Sequence, residues 1–281
     1  FYYDNGTGSD TMSPLALAQS YNSEIGCASG DSIASNDNTV LWIGTSRTHG
    51  KSVYILNGVA PVKISTSDID RVIESSTLAQ VSAYLYKQNG HTMYVLTLHD
   101  IDITLVFDID EKAWYQWTQY TVIGADQPDY NPSNPITYKE TYFKATFYAE
   151  ASGVAYVLDD DYAYLYKFSP TTYLDNSQPI YYRIITQQYD SGTTHRKFFG
   201  RMEIIGDKVS GGTMSISHTG DDYNTWSTSR NVDLNASRSQ LYLGGADRRR
   251  AWSFVSSSNV PLRLRYAEVD FRLGEKSEDR G

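Results

Sequence analysis

Short apolar runs separated by turn residues dominate the hydrophobic pattern of this 281-residue chain. The runs are rich in Val, Ile, Tyr and Trp, and Asn-Gly, Asp-x-Asp or Gly-containing breaks lie between them. β-branched and aromatic residues favour strands, and Asn-Gly between two such runs is a hairpin signal. The pattern therefore predicts an all-β protein. We predict strands at residues 1–3, 40–43, 52–56, 62–64, 81–86, 92–98, 103–108, 113–119, 142–150, 154–158, 163–168, 180–188, 197–205, 212–217, 239–243, 251–256 and 261–273.

One segment has a helical period instead. Ile69, Val72 and Ile73 are spaced at i, i+3 and i+4, which places them on one face of a helix. Ser67 precedes them as a candidate N-cap, and Asp70 follows it three residues later, as in a capping box. The pattern predicts one short amphipathic helix that begins behind Ser67.

Residues 124–141 interrupt the strand pattern. They include Pro128, Pro132 and Pro135 together with several Asn and Asp residues, a composition typical of turns. We predict a long surface loop here, and loops of this length are often functional or form interfaces.

The predicted strands recur in groups of three or four. Each group has two apolar faces that neighbouring groups must cover, as in the blades of a propeller. We therefore predict a β-propeller-like domain of short antiparallel blades over residues 1–274, with a flexible tail at residues 275–281. A β-sandwich stays open as the alternative. The groups lie around residues 40–64, 81–119, 142–168 and 180–217.

The charge balance limits the classes of ligand. The formal net charge is -9 and the pI is near 5.0, which argues against broad binding to a nucleic-acid backbone or an anionic membrane, because both require a positive surface. The one dense basic run is Arg248, Arg249 and Arg250. Guanidinium groups bind both phosphate and carboxylate. These arginines are therefore candidates for contacts with DNA phosphate or an acidic partner subunit, and a solvated hairpin tip is the alternative.

Aromatic residues are the other unusual feature, because the chain contains 24 tyrosines. Tyrosine suits half-buried strands and also interfaces, where its ring supplies contact area and its hydroxyl a polar tip. Trp114 and Trp117 are candidates either for packing inside the sheet or for stacking on a ligand such as a glycan.

Motifs for catalysis, metals and cofactors are absent from the sequence. The five histidines show no HxH, HxxH or HExxH spacing, although His91 and His99 flank a predicted strand and could meet in space. Cys27 is the only cysteine, which excludes an intramolecular disulfide and a multi-cysteine metal site. Neither G-x-S-x-G nor a Walker or Rossmann glycine pattern is present. We predict no catalytic residue, no metal and no cofactor.

Acidic residues cluster at predicted turns. Asp and Asn favour turns because their side chains bond to the local backbone, so we interpret the clusters as structural. Calcium ligation and a glycosidase pair of carboxylates are the alternatives. The clusters are Asp100 and Asp102, then Asp108, Asp110 and Glu111, and then Asp159, Asp160 and Asp161.

Residues 219–226 resemble the Asp-box of sialidase-like propellers. Thr219, Asp221, Thr225 and Trp226 match that pattern, whereas Tyr223 stands where glycine is expected. In those families the motif is a hairpin staple and not a catalytic element. The resemblance implies a staple and favours a propeller.

A broader resemblance links most of the chain to a phage family. It begins with Glu24-Ile25-Gly26-Cys27-Ala28 and Val40-Leu41-Trp42-Ile43-Gly44. The chain resembles the tail hub proteins of short-tailed bacteriophages, which are also called packaged-DNA stabilisation proteins. Further matching segments are residues 50–54, 57–58, 61, 64–66, 90–97, 106–108, 114, 117, 217–221, 226–227 and 248–250, with Tyr3 and residues 8–10 at the start.

This resemblance implies a non-enzymatic structural protein of the virion tail, assembled in the host cytoplasm. Such proteins form a homo-oligomeric ring, a hub or nozzle that extends the DNA channel below the portal and helps to retain packaged DNA. The implied partners are portal-adaptor and distal tail proteins, and double-stranded DNA that passes without sequence specificity, with no membrane. Because the chain begins at Phe1, we expect it to be a C-terminal part of a longer protein. The alternatives are a glycan- or receptor-binding β module and a propeller glycoside hydrolase.

Overall fold

The computed structural model describes residues 2–4, 15–17, 24–36, 38–48, 50–58, 60–123, 137–159, 163–242 and 244–274. Within these residues the protein is all-β apart from one α-helix and two short 3-10 turns, which confirms the predicted fold class. The chain divides into two compact units, residues 1–168 and residues 169–281. A single domain over residues 1–274 stays a prediction. In the described part of the chain, no helix is long and apolar enough to span a membrane.

The first unit is built from short antiparallel strands with the helix α1 (Ser67–Ser75) between β7 and β8. Its strands are β1 (Tyr2–Asp4), β2 (Leu15–Leu17), β3 (Gly26–Cys27), β4 (Ala34–Asn36), β5 (Thr39–Ser46), β6 (Gly50–Asn57), β7 (Pro61–Lys63), β8 (Val81–Gln88), β9 (His91–Leu98), β10 (Ile103–Asp108), β11 (Ala113–Ile123), β12 (Thr137–Tyr142), β13 (Ala145–Ala151), β14 (Val154–Asp159) and β15 (Leu165–Lys167).

These strands form consecutive up-and-down sheets. One sheet has the order β3-β5-β6-β7 with β4 also paired to β5, the next has the order β12-β11-β10-β9-β8, and the third has the order β13-β14-β15. Strands β1 and β2 pair with each other. The predicted groups around residues 40–64, 81–119 and 142–168 therefore correspond to separate sheets, as blades require.

The sheet of β8 to β12 is apolar on both faces. On β9, Tyr94 and Leu96 belong to one buried cluster and Val95 to another, because neighbouring residues of a strand point to opposite faces. The first cluster also contains residues of β5, β6 and α1. In the second, Tyr148 of β13 and Ala155 of β14 pack against the buried residues. This sheet is therefore covered on both sides, as the propeller interpretation expects.

The start of α1 differs from the prediction by one residue. Thr66, not Ser67, is the N-cap, and its hydroxyl accepts a hydrogen bond from the backbone N–H of Ile69 at 3.4 Å. The predicted capping box is also wrong, because the Asp70 carboxylate accepts hydrogen bonds from the side chains of Lys63 and Ser65. Burial raises the pKa of Asp70, but the hydrogen bonds from these two side chains outweigh burial and lower it.

The predicted Asn-Gly hairpin between β8 and β9 is confirmed. Asn89 and Gly90 have φ values of 52° and 86°, the two positive values that a type I′ turn requires. Ser152 and Gly153 join β13 and β14 in the same way, with φ values of 53° and 73°. Local turn chemistry therefore fixes these two hairpins.

The predicted loop at residues 124–141 is wrong at its C-terminal end. Strand β12 begins at Thr137 and pairs antiparallel with β11, Thr118 opposite Tyr142. The predicted strand over residues 142–150 is correspondingly interrupted after β12, because β12 and β13 belong to different sheets. Residues 124–136 lie outside the described residues, as does the predicted tail at residues 275–281.

The second unit contains the remaining strands and no helix among its described residues. They are β16 (Leu174–Asp175), β17 (Gln178–Pro179), β18 (Tyr182–Ile185), β19 (Lys197–Gly206), β20 (Thr213–Thr219), β21 (Arg230–Asp233), β22 (Ser239–Tyr242), β23 (Ala246–Asp247), β24 (Ala251–Ser256) and β25 (Leu264–Leu273). Strands β16 and β17 pair with each other. Of the two four-stranded sheets, one has the order β18-β24-β20-β21, and in the other β19 pairs with β22, β23 and β25.

The two four-stranded sheets of the second unit share one apolar core. Met202 of β19 lies in the same buried cluster as Met214 and Ile216 of β20 and Trp252 and Phe254 of β24. Two sheets that enclose a common core form a β-sandwich, the alternative left open by the sequence. The predicted group at residues 180–217 is wrong, because β18 and β20 flank β24 whereas β19 lies in the other sheet.

Candidate functional site

The three consecutive arginines have three different environments. Arg250 is 1% exposed, and its guanidinium donates to the Asp247 carboxylate at 2.6 Å and to the Gly244 carbonyl at 3.0 Å. It also lies over the Phe199 ring, 3.9 Å from the centroid. Burial lowers the pKa of Arg250, against the opposing effect of Asp247. These contacts of the Arg250 guanidinium all lie inside the second unit.

Arg248 and Arg249 are exposed. Arg249 donates to the Asp222 carboxylate at 3.0 Å on the surface. The backbone carbonyl of Arg248 accepts a hydrogen bond from the Lys197 ammonium at 2.6 Å, and no hydrogen bond from the Arg248 guanidinium is seen among the described residues. The prediction of an interface or DNA contact stays a prediction, and it now concerns these two side chains.

Lys197 holds the turn that carries Arg248. This lysine is fully buried, and its ammonium donates to the carbonyls of Thr193 at 2.8 Å, His195 at 3.1 Å and Arg248 at 2.6 Å. Three carbonyl acceptors saturate the three donors of an ammonium group. The exposed part of the turn is therefore anchored from beneath. The sequence contains no signal for this contact beyond a lysine at an inward position of β19.

Arg248 belongs to a cluster that the sequence does not reveal. Lys197 of β19 pairs with Asp247 of β23, so the residues next to them, Arg196 and Arg248, are neighbours. On the other side of β19, Arg272 of β25 is directly opposite Phe198, and Arg196 lies two residues before Phe198 on the same face. We call Arg196, Phe198, Arg248 and Arg272 the arginine patch.

The two candidate tryptophans pack inside the first unit. Trp114 lies 5.0 Å from Phe107, ring centroid to ring centroid, and its indole N–H donates to the Ile64 carbonyl at 3.1 Å. Trp117, on the opposite face of β11, meets Phe143 edge-on at 5.3 Å. Both are half-buried, each against a different apolar cluster. Of the two roles considered, the geometry favours packing over ligand stacking.

The segment that resembles an Asp-box forms a stapled turn after β20. The Asp221 carboxylate accepts hydrogen bonds from the Thr225 hydroxyl, from the Thr225 N–H at 2.9 Å and from the Thr219 hydroxyl at 2.7 Å. These bonds lower the pKa of Asp221 to about 2. Tyr223, where glycine is expected, has a φ of 68°. The residue differs from the motif, but the backbone keeps the conformation that glycine favours.

The acidic cluster after β10 also fastens its turn. Asp108 is buried and accepts from the N–H groups of Asp110 at 2.9 Å and Glu111 at 3.1 Å, and it contacts His91 Nδ1 at 2.7 Å. Burial raises the pKa of Asp108, but these hydrogen bonds outweigh burial and lower it. The structural interpretation of this cluster is confirmed.

Asp100 and Asp102 are engaged in the same way. Asp100 accepts from the Thr77 N–H at 2.7 Å and the Ser76 hydroxyl at 2.7 Å, and Asp102 accepts from the Tyr142 N–H at 2.8 Å. In the described part of the chain, no group of three or more His, Cys, Asp or Glu residues could hold a metal ion. Asp160 and Asp161 of the third cluster lie outside the described residues.

The prediction that His91 and His99 could meet in space is wrong. His91 is the first residue of β9 and His99 directly follows its last residue, so the two lie roughly 26 Å apart at the usual rise per residue. His99 Nε2 is 3.1 Å from the Ser82 hydroxyl. Each ring therefore has its own polar neighbours.

Comparison with known proteins gives one family. The model described as "Bacteriophage P22 Gp10, beta-propeller" matches residues 2–163, which is more than half of the chain and lies within the first unit. The propeller that this description names agrees with the consecutive antiparallel sheets seen there. No curated protein sequence matches the chain.

Similar solved structures include carbohydrate-active enzymes. A "Glycoside hydrolase" is 13% identical with a TM-score of 0.24, and the match covers 85% of this chain and 59% of that protein. The β-fructofuranosidase BmSUC1 of Bombyx mori is 11% identical with a TM-score of 0.20, covering 86% and 78%. The exo-β-1,3-galactanase of Phanerochaete chrysosporium is 10% identical with a TM-score of 0.22, covering 88% and 57%. At these scores the likenesses indicate no activity.

The match to the phage model agrees with the resemblance that begins at residues 24–28 and 40–44, now placed on β3 and β5. It covers the sheets formed by β3 to β14 and the packed residues Trp114 and Trp117. The chain therefore belongs to the phage stabilisation family described as "Bacteriophage P22 Gp10, beta-propeller".

Proposed function

We propose that the protein is a structural component of a short phage tail. It forms a homo-oligomeric ring, a hub or nozzle that extends the DNA channel below the portal and helps to retain the packaged genome. The observation that carries this proposal is the family match over residues 2–163. The expected partners are portal-adaptor and distal tail proteins, and the expected location is the virion tail after assembly in the host cytoplasm.

A non-enzymatic role is part of the proposal. Asp100, Asp102 and Asp108 accept hydrogen bonds from backbone N–H or hydroxyl groups at their turns, which supports a structural role for them over that of glycosidase acids or bases. A glycosidase needs two carboxyl groups that face a substrate across roughly 5 to 9 Å. The packing of Trp114 against Phe107 and of Trp117 against Phe143 likewise supports a structural role over glycan stacking for these two side chains.

The charge distribution supports passage of DNA without adhesion. Residues 1–168 contain 20 Asp and Glu against 9 Lys and Arg, whereas residues 169–281 contain 13 against 15. The acidic excess therefore belongs to the first unit. Negative charge repels phosphate over about a Debye length, roughly 8 Å at physiological salt. A ring with such a wall would let double-stranded DNA slide without sequence specificity.

Immunogold electron microscopy on phage particles from the source tests the location. We expect gold at the tail stub beneath the capsid, with antibody absorbed on the purified protein as the control. A phage that lacks this chain should package DNA and then lose it, which nuclease sensitivity of the genome measures. Gold on peripheral fibres, or no labelling of particles, would overturn the hub proposal. In that case a glycan-binding panel would be the next measurement.

A further inference from the structure

The arginine patch brings together three exposed arginines whose positive charge no described carboxylate neutralises. Among the other arginines of the described second unit, Arg201 pairs with Asp270, Arg249 with Asp222 and Arg238 with Glu203. The exposed Arg183, Arg230 and Arg263 have no carboxylate partner there, but they lie on or beside three different strands, β18, β21 and β25. Within the patch, Arg196, Arg248 and Arg272 are exposed, and no carboxylate among the described residues pairs with them. Three guanidinium groups at one end of one sheet therefore lack counter-ions.

The geometry of the patch is fixed by the sheet and not by a mobile loop. Arg196 precedes β19 and Arg272 lies on β25, and the pairing of these strands sets the distance between the two side chains. The turn that carries Arg248 is held by the buried Lys197 ammonium and by the Arg250–Asp247 pair. Side chains on such a base lose little backbone freedom when they bind a partner.

The patch is also apolar at its centre. Phe198 is 53% exposed between Arg196 and Arg272, and the same outer face carries Tyr242, which is 66% exposed. Aromatic residues and arginine are the residue types enriched in the cores of protein interfaces. A surface that only neutralises DNA phosphate needs no exposed aromatic ring. The composition therefore favours a protein with carboxylates as the occupant.

The charge difference between the two units favours a second copy of this chain as the partner protein. Residues 1–168 carry an excess of carboxylates and the second unit carries the patch. Contact between two patches would place arginine against arginine, so a symmetric pairing is unfavourable. Contact between the patch of one copy and the acidic unit of the next is complementary. Such head-to-tail contacts generate closed rings when the rotation between copies closes.

We propose that the arginine patch binds a carboxylate-bearing surface on residues 1–168 of a second copy of this chain, and that this contact joins neighbouring copies of the ring. The proposal rests on the ring-forming function proposed above. Candidate acceptors are the exposed side chains of Glu24, Asp31 and Glu111, which pair with no cation among the described residues.

Self-association of the full chain tests this proposal. We would measure mass by light scattering and affinity by analytical ultracentrifugation for three proteins: wild type, the patch variant R196E/R272E, and the control R263E/R265E. The control reverses two exposed arginines at the other end of β25, so its net charge equals that of the patch variant. Circular dichroism and thermal unfolding check that each variant folds. Binding of a fluorescent 30-base-pair DNA duplex is measured for the same three proteins, to test whether the patch binds DNA instead of protein.

We expect wild type and control to associate, and wild type to weaken by at least about tenfold when salt rises from 50 to 500 mM, because screening reduces contacts between charges. The patch variant should associate at least about tenfold more weakly than the control at low salt.

Equal association of both variants would overturn the proposal, and so would a monomeric wild type. DNA binding that the patch variant alone loses would assign the patch to DNA instead. Tail labelling by immunogold separates these outcomes from a failure of the tail function itself.

Discussion

Asp221 shows how a single exposed carboxylate can organise a turn. Its two oxygens accept from Thr219 and from both the side chain and the backbone of Thr225, four residues later. The turn then holds Asp222 and Tyr223 at positive φ, 60° and 68°. Such conformations are costly for residues other than glycine. The carboxylate bonds compensate for that strain.

This arrangement predicts a pH dependence. The side-chain bond from Thr225, its backbone N–H and the Thr219 hydroxyl lower the pKa of Asp221 to about 2. A carboxyl group with a lowered pKa contributes stability above its ordinary pKa of about 4 and loses it as pH falls through its folded value. The difference in free energy of unfolding between wild type and Asp221→Asn should therefore shrink as pH falls from about 4 to about 2.

Chemical denaturation at several pH values measures that difference. Asp222→Asn is the control, because its carboxylate contacts Arg249 at the surface. A difference between wild type and Asp221→Asn that stays constant across this range would contradict the staple.

Arg250 is the one arginine of its run that we expect to matter for stability. Replacement by Met removes the bonds to Asp247 and Gly244 and leaves a partly buried carboxylate without its cation. Breaking a buried ion pair costs about 3 to 5 kcal/mol, and Asp247 retains some contact with water, so we expect about 3 kcal/mol.

Arg248→Met and Arg249→Met are the matched controls, and each should change the free energy of unfolding by less than about 1 kcal/mol. The double variant R250M/D247N should recover part of the loss, since it also removes the unpaired carboxylate. Equal effects of all three arginine substitutions would show that Arg250 is not the buried member.

At the scale of the strand, β11 separates two apolar clusters. Trp114 packs with the cluster that contains Phe107, and Trp117 with the cluster against which Tyr148 packs. Residues at odd spacing point to opposite faces of a strand. The strand therefore stabilises the unit on both sides of its sheet.

Trp114→Ala should lower the free energy of unfolding by about 3 kcal/mol, the low end for Trp→Ala because the indole is half-buried. Trp114→Phe keeps an aromatic ring but loses the bond to Ile64 and part of the indole volume, so we expect a smaller loss of about 1 to 2 kcal/mol. Tyr115→Ala is the control, because Tyr115 is 50% exposed. Urea unfolding provides the comparison. A Trp114→Ala effect equal to that of Tyr115→Ala would return Trp114 to the list of ligand-binding candidates.

The elements that could be predicted are those with local causes. The hairpin at Asn89 and Gly90 is specified by its own two turn residues, and the up-and-down sheets of the first unit follow from neighbouring strands. Strand β24 could not be placed in this way, because it lies between β18 and β20, whose sequence positions are far from it. The same reason hides the arginine patch, since β25 brings Arg272 to Phe198. The run of three arginines indicated charge but not which member is buried.

At the scale of the whole molecule, the two units have separate cores. The clusters around Leu96 and Val95 contain residues of the first unit, and the cluster around Met202 contains residues of the second. Each unit also has its own sheets, and none of the sheets among the described residues includes strands of both units. Cooperative unfolding follows shared packing. We therefore expect calorimetry of the full chain to show two transitions.

Two substitutions assign those transitions. Trp114→Ala should lower the midpoint of one transition and Arg250→Met that of the other, each by several degrees, since about 1 kcal/mol corresponds to roughly 2 to 8 °C in units of this size. The exposed Arg263→Ala should move neither midpoint. If both destabilising substitutions lower one common transition by similar amounts, the units unfold together, and residues 1–274 behave as the single domain that the sequence predicts. Separate shifts would instead mean that the first unit, which matches the propeller family, and the β-sandwich of the second unit fold independently within one chain.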